Sequence, residues 1–132
     1  MKIFIITILL FFPLFFAQAR SLSDVKIVIS DTIVEDCQYA VKDVKGCYFT
    51  PNKIYISSQL SFAQLTMVFL HEIGHFLMDG TSVETYNKLF NPFSFTMPLE
   101  SIQEIAAQNF VVWWITNQAT PEQEQFFIGL FK

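Results

Sequence analysis

The chain has 132 residues, of which 52% are hydrophobic and 17% aromatic, so its length suits a single domain and its composition excludes intrinsic disorder. Its formal charge is −4 at pH 7, and this acidic balance excludes the broad basic face that grips nucleic acid through the phosphate backbone. The composition alone leaves open whether the apolar excess belongs to a membrane protein or to a temporary leader.

Much of the apolar excess lies in residues 1–19, MKIFIITILLFFPLFFAQA. One lysine precedes an apolar run over residues 3–16, and the small Ala17 and Ala19 that follow suit signal peptidase. We interpret this segment as a signal peptide cleaved after Ala19, which predicts a secreted or periplasmic domain over residues 20–132 without stable membrane insertion. A retained anchor is the alternative, but the run is shorter than the ~20 apolar residues of a membrane span and contains Pro13.

The two cysteines, Cys37 and Cys47, both lie in the predicted mature domain. Export supplies oxidising conditions, so we predict a disulfide between them. Their spacing differs from the close C-x₂₋₄-C pairs of zinc sites.

Two β-structures are predicted before the first long helix. Residues 25–29, VKIVI, are rich in β-branched side chains and read as a strand. The sequence CYFTPNKIYIS, from Cys47 to Ser57, places the turn formers of residues 50–53 between two aromatic and β-branched runs, which predicts a hairpin.

A helix is predicted from the N-cap Ser61 to the stop signal Gly80. At 100° per residue, His71 and His75 lie about 40° apart on one face. The predicted core stripe lies on the opposite face and consists of Phe62, Leu65, Phe69, Ile73 and Phe76. A helix that presents both imidazoles away from its packed face is suited to line a cleft.

This helix contains the sequence HEIGH, residues 71–75, an H-E-x-x-H motif that holds both histidines of the chain. Side chains at i and i+4 project together, so His71 and His75 can share one zinc ion. Glu72 lies beside that position, where it can act as general base toward a water activated by the metal.

A catalytic zinc requires three protein ligands and one open position. Thr81 stands where a metzincin has its third histidine, so the third ligand is expected to be acidic and downstream. The candidates are Asp79, Glu84, Glu100 and Glu104. Glu84 could instead complete a capping box that begins at Thr81.

A second long helix is predicted over residues 98–117 and carries Glu100 and Glu104. The small Ala106 and Ala107 would allow this helix to approach the first one closely, which favours Glu104 as the third ligand. Glu100 could serve only as a first-turn acid that complements the helix dipole.

These motifs together resemble those of gluzincin-type zinc metallopeptidases. HEIGH follows a Gly46-x-Tyr48 segment and precedes Glu104-x-x-Ala107-x-x-Phe110, a pattern most similar to the small ImmA/IrrE-like and M48-like domains. The resemblance implies His71, His75 and Glu104 as zinc ligands and Glu72 as catalytic base. Gln108 stands where many relatives carry an acid that orients a zinc histidine, and an amide is a weaker partner for an imidazole.

Three further segments are less specific. Residues 81–97 predict a short helix followed by an aromatic lid or by simple packing onto the core. Thr120 and Pro121 open a last helix whose apolar side is Phe126, Phe127, Leu130 and Phe131. Trp113 and Trp114 are expected in the core.

The sequence therefore predicts an exported α+β domain of minimal zincin-like type, with a small sheet packed on the HExxH helix and on a second helix that carries the ligand glutamate. Its expected function is hydrolysis of peptides or proteins with one zinc ion. Tyr86 or Tyr48 could stabilise the oxyanion, and the strand edge at residues 54–56 could pair with substrate. The alternative is a non-catalytic zinc-binding or protein-interaction module with the same fold.

Overall fold

A computed structural model of the protein describes residues 20–38 and 43–132, and the predicted leader lies outside these described residues. The described part has an α+β fold, which confirms the predicted class. Its strands are β1 (Lys26–Ser30), β2 (Gly46–Phe49) and β3 (Lys53–Ser57). Its α-helices are α1 (Ile33–Cys37), α2 (Phe62–Met78), α3 (Val83–Phe90), α4 (Leu99–Thr116) and α5 (Pro121–Gly129). None of these described helices combines the length and hydrophobicity that crossing a membrane requires.

The sheet has the strand order β1-β3-β2. β2 and β3 form the predicted antiparallel hairpin, and β1 pairs with β3 in parallel. β1 begins at Lys26 rather than at Val25, because the Val25 N–H donates to the Leu22 carbonyl and ends a short 3₁₀ turn, Leu22–Asp24. β3 is therefore the central strand.

The two faces of the sheet are covered by different helices. Ile54 and Ile56 of β3 are fully buried on the face that packs against α2. The opposite face carries Cys47, whose disulfide to Cys37 attaches α1 to β2, with an S–S distance of 2.06 Å. β2 is thus held by a helix on one side and by a covalent bond on the other.

Helix α2 begins as the sequence predicts. Ser61 caps it in a reciprocal capping box with Gln64, and Gly80, with φ of +86°, follows its last turn. The predicted core stripe is wrong at its first member, because Phe62 is 84% exposed. Residues 61–64 are all exposed, so the first turn of α2 extends past the elements that bury Ile73 and Phe76.

Helix α4 packs directly against α2 through small side chains. Ala106 and Ala107 are fully buried. A Cβ atom added to Gly74 would lie 3.4 Å from the Ala107 Cα and 3.2 Å from Phe110 Cδ1. The two helices therefore approach closely at the centre of the HEIGH segment, as the small residues predict.

The C-terminal helix closes the core from the other side. Thr120 and Gln123 form a capping box at the start of α5, and Phe127 is buried with its ring centroid 5.2 Å from that of Trp113. The expectation that Trp114 is core is wrong, since it is 53% exposed. Trp113 stacks on the buried Phe127, whereas Trp114, about 100° further round the helix, lies largely outside that contact.

The segment between α2 and α4 differs from prediction in two local features, the cap of α3 and the position of two aromatic side chains. Ser82, not Thr81, caps α3 by accepting from the Thr85 N–H, so the capping box proposed for Thr81 and Glu84 is absent from this described segment. Phe93 and Phe95 stack on each other with ring centroids 4.9 Å apart and are exposed. They do not line the cleft described below.

We expect the Cys37–Cys47 disulfide to stabilise the fold by about 2–3 kcal/mol, because it closes a short loop that separates the cysteines by 10 positions. Urea unfolding of a Cys37→Ser/Cys47→Ser variant should show a lower midpoint than the oxidised protein. A reductant should lower the midpoint of the wild type and leave that of the variant unchanged. Equal midpoints for the two proteins would contradict a stabilising role.

Candidate metal centre

The side chains of His71, His75 and Glu104 converge on one point. Glu104 Oε2 lies 3.0 Å from His71 Nε2, and Glu104 Oε1 lies 2.9 Å from His75 Nε2. The two Nε2 atoms are 3.2 Å apart. One donor atom from each residue thus falls within 4.8 Å of the others, a cluster compact enough to hold a metal ion.

Local sequence explains how two helices build this cluster. The i, i+4 spacing places both imidazoles on one face of α2. Gly74, between them, lies against Ala107 of α4, and Glu104 precedes Ala107 by one helical turn. The close contact between the helices therefore brings the Glu104 carboxylate within hydrogen-bonding distance of both histidines.

The structure separates Glu104 from the other acidic candidates. Asp79 forms an ion pair with Arg20 at 3.0 Å and accepts a hydrogen bond from the Tyr48 hydroxyl at 2.6 Å. Glu84 is exposed on α3, and Glu100 is exposed at the first turn of α4, where it lines the cleft. Among the described residues, the histidines share their cluster with Glu104 alone.

The electrostatics of the cluster are those of a carboxylate held between two imidazoles. Hydrogen bonds to His71 and His75 hold the pKa of Glu104 well below its usual range, outweighing the opposing effect of burial. Burial alone would lower the pKa of His71, but the Glu104 and Glu72 carboxylates outweigh it and raise that pKa. Glu104 is therefore held as a carboxylate against the two imidazoles.

Glu72 lies beside the cluster and is only 6% exposed. Burial raises its pKa, against the opposing influence of His75 and His71. Its Cγ lies 3.3 Å from where a Cβ on Gly46 would be, so β2 packs directly over this side chain. Gly46 is needed there because a larger residue would displace the strand from the helix.

A cleft of about 1300 Å³ opens over these groups. One wall is β2 with the residues before it, the opposite wall is the first half of α4, and α2 lies between them. His71, Glu72, His75 and Glu104 all line this cleft, so solvent and ligands can reach them.

Tyr48 and Tyr86 also line the cleft, but their hydroxyls are engaged. The buried Tyr86 donates to the Met78 carbonyl at 2.9 Å, and Tyr48 donates to Asp79. Burial raises the pKa of Tyr48, with a further contribution from Asp79, so its hydroxyl stays protonated. Neither tyrosine directs its hydroxyl to the cluster in this state.

Gln108 lies at the cleft one turn after Glu104 and is exposed. A polar interaction with its side chain contributes to the raised pKa of His71.

Arg20 is a part of this region that the sequence did not indicate. Its guanidinium bonds the Tyr48 hydroxyl at 2.9 Å and the Pro51 carbonyl at 2.6 Å, and lies 5.4 Å from the Phe76 ring centroid. Together with the ion pair to Asp79, these contacts join the β2–β3 turn to the end of α2. No local sequence pattern could reveal these contacts, because Arg20 lies 28 or more positions before each of its partners.

The expectation that substrate pairs with the edge of residues 54–56 is wrong. These residues belong to β3, whose two sides are taken by β1 and β2. The edge that borders the cleft is β2, residues Gly46–Phe49.

Comparison of the chain with protein-family models, with curated proteins and with solved structures found no match. The interpretation of the site therefore depends on its residues and their geometry.

We expect Gly46→Ala to destabilise the protein by about 1–3 kcal/mol, the usual cost of overpacking. The added Cβ would lie 2.6 Å from Val68 Cγ1, and the β-branched Val68 has little rotamer freedom to avoid it. Urea unfolding of Gly46→Ala, Val68→Ala and the double variant would measure the coupling between the sites. The double variant should be more stable than the two separate losses predict, and strict additivity would contradict the close contact.

Proposed function

We propose that the protein is an exported zinc-dependent metallopeptidase of the gluzincin type. The observation that carries this proposal is the convergence of His71 Nε2, His75 Nε2 and the Glu104 carboxylate, with Glu72 buried beside them. Two imidazoles and one carboxylate are a ligand set typical of catalytic zinc, which keeps a further position for water or substrate. The donor chemistry of the site thus fits a single Zn²⁺.

The residues around the site suit hydrolysis of an amide. A bound zinc ion supplies Lewis-acid chemistry, polarising a peptide carbonyl and lowering the pKa of water. Glu72 takes the proton from the attacking water and delivers it to the leaving amine. Burial of Glu72 on the cleft side of α2 keeps this carboxylate close to the histidines and limits its competing contacts with bulk water.

The shape of the cleft favours a peptide substrate. β2 is an edge strand along one wall, and an extended peptide can add to such an edge through main-chain hydrogen bonds. This mode selects an extended backbone with little dependence on side chains. It suits a small domain with limited surface for specificity pockets.

The disulfide supports the exported part of the proposal. A Cys37–Cys47 bond persists in oxidising compartments and is rare in reducing ones. Together with the predicted signal peptide, it supports the proposal that the mature protein, residues 20–132, is periplasmic or secreted.

Substitutions at Glu72 and Glu104 should separate catalysis from metal binding. We expect Glu72→Gln to retain zinc and lose hydrolysis by a factor of about 10² to 10⁴, since it removes the general base and no ligand. Glu104→Ala should lose zinc and activity together. The measurements are zinc content by elemental analysis and cleavage of a quenched fluorescent peptide library. Glu100→Ala, one turn away on the same helix, is the matched control and should retain both.

The wild type distinguishes the alternatives. A zinc-loaded wild type that cleaves no peptide would favour the non-catalytic zinc-binding module. A wild type that takes up no zinc would refute the metallopeptidase and the zinc module alike.

We expect the exported protein to begin at Arg20. N-terminal sequencing and intact mass of protein recovered outside the cytoplasm would test this, and Ala19→Arg should block processing, because signal peptidase requires a small residue there. Recovery of the whole chain in the membrane fraction would instead indicate a retained anchor.

A further inference from the structure

The hydrogen bonds between β1 and β3 determine which residues of β1 direct their main-chain groups toward the outer edge of the sheet. The Lys26 N–H donates to the Asn52 carbonyl at 2.7 Å, and the Ser30 carbonyl accepts from the Ser58 N–H at 2.9 Å. Lys26 and Ser30 therefore direct their main-chain groups inward, toward β3. Because this direction alternates along a strand, the intervening Ile27 and Ile29 direct their N–H and C=O groups outward.

No strand among residues 20–38 and 43–132 pairs with this outer edge. Ile27 and Ile29 also expose their side chains, by 43% and 57%. They share a face of the sheet with Ile54 and Ile56, which α2 buries completely. The helix thus covers the centre of the sheet and leaves the apolar face of β1 open. Natural sheets usually protect such an edge.

We propose that β1 is a self-association surface, at which two copies of the chain pair their β1 strands antiparallel about a twofold axis. The register that sets Val28 opposite Val28 of the second copy sets Ile27 opposite Ile29. A hydrogen-bonded antiparallel pair exchanges two main-chain bonds. Two such pairs therefore satisfy every outward group of Ile27 and Ile29 in both copies.

The same register joins the apolar side chains. A twofold axis normal to the sheet keeps each face continuous across the seam. The Ile27 and Ile29 side chains of both copies then form one patch on the α2 side of the extended sheet. Cross-strand contacts between β-branched side chains stabilise such pairs.

Charge complementarity also favours a second copy as the partner. Ser30 Oγ donates to the Asp36 carboxylate, which therefore lies beside Ser30. In the proposed register Lys26 of one copy stands opposite Ser30 of the other on the same face, so its ammonium reaches Asp36. Symmetry produces this ion pair twice, and no two lysines face each other across the seam.

Registers shifted by two residues are less suitable. Centring the axis on Ile27 sets Ile29 opposite Val25, whose N–H already donates to the Leu22 carbonyl. Centring it on Ile29 sets Ile27 opposite Asp31 and places a charge in the apolar seam. The Val28-centred register is the one that matches both hydrogen bonding and polarity.

The resulting sheet would have six strands in the order β2-β3-β1-β1-β3-β2. The clefts lie along the two β2 edges, at opposite ends of this sheet. Association through β1 therefore leaves both clefts open, and the proposal does not depend on the proposed function.

Cysteine crosslinking tests the register directly. Val28 would face its counterpart in a non-hydrogen-bonded pair, where Cα atoms are about 4.5 Å apart, within the range for a disulfide. Under mild oxidation, Val28→Cys should form a covalent dimer on a non-reducing gel and by intact mass. Ile27→Cys is the matched control, because its two copies would lie diagonally, about 7–8 Å apart. Crosslinking of Val28→Cys no faster than that of Ile27→Cys would overturn the proposal.

Sedimentation velocity over a concentration series provides the equilibrium test on protein purified from an exporting host. The wild type should shift from monomer to dimer with concentration, and Ile29→Lys should remain monomeric because it places a charge in the seam. Ile115→Lys, at an exposed site on α4, should dimerise like the wild type. Circular dichroism would confirm that each variant folds. A wild type that is monomeric at its solubility limit, or an Ile29→Lys variant that dimerises, would contradict association through β1.

Discussion

The close approach of α2 and α4 is the contact on which the candidate site depends. Gly74 and Ala107 have almost no side chain, and this lets the two helices pack with the Phe110 ring against the same point. A larger residue at either position would separate the helix axes and withdraw Glu104 from the histidines. The same small residues therefore determine both the packing of the core and the assembly of the cluster of His71, His75 and Glu104.

The local elements were largely predictable because their signals are local. Ser61 caps the first long helix, Thr120 and Pro121 open the last, and the turn residues between β2 and β3 form the predicted hairpin. Each depends on hydrogen bonds or backbone preferences within a few positions of the chain. The i, i+4 spacing of the histidines is equally local, so the face they share could be anticipated.

The remaining features depend on which elements become neighbours. The sequence does not indicate that β1 joins β3 in parallel, and this pairing makes β3 central and moves the free edge at the cleft to β2. Phe62 and Trp114 are likewise exposed because no neighbouring helix or strand of the described chain extends far enough to cover them. Glu104 was predicted from the small residues that follow it, which indicate close packing between helices, and from the resemblance of Glu104-x-x-Ala107-x-x-Phe110 to a known motif.

The network around Arg20 shows how distant residues shape the cleft. Arg20 holds Tyr48 of β2 and Asp79 at the end of α2 at the same time. Asp79 is thereby paired with a cation of its own chain, whereas the Glu104 carboxylate lies against the two histidines. The partly exposed Arg20–Asp79 ion pair thus gives Asp79 a structural role at the edge of the cleft.

The disulfide makes the cleft depend on redox conditions. It fixes β2 from the face opposite α2, and β2 is the wall that covers Glu72. Without the disulfide, that wall is held by packing alone, although the histidines and Glu104 are unchanged. Oxidation of the two cysteines completes the wall, so the cleft reaches its full rigidity only under oxidising conditions.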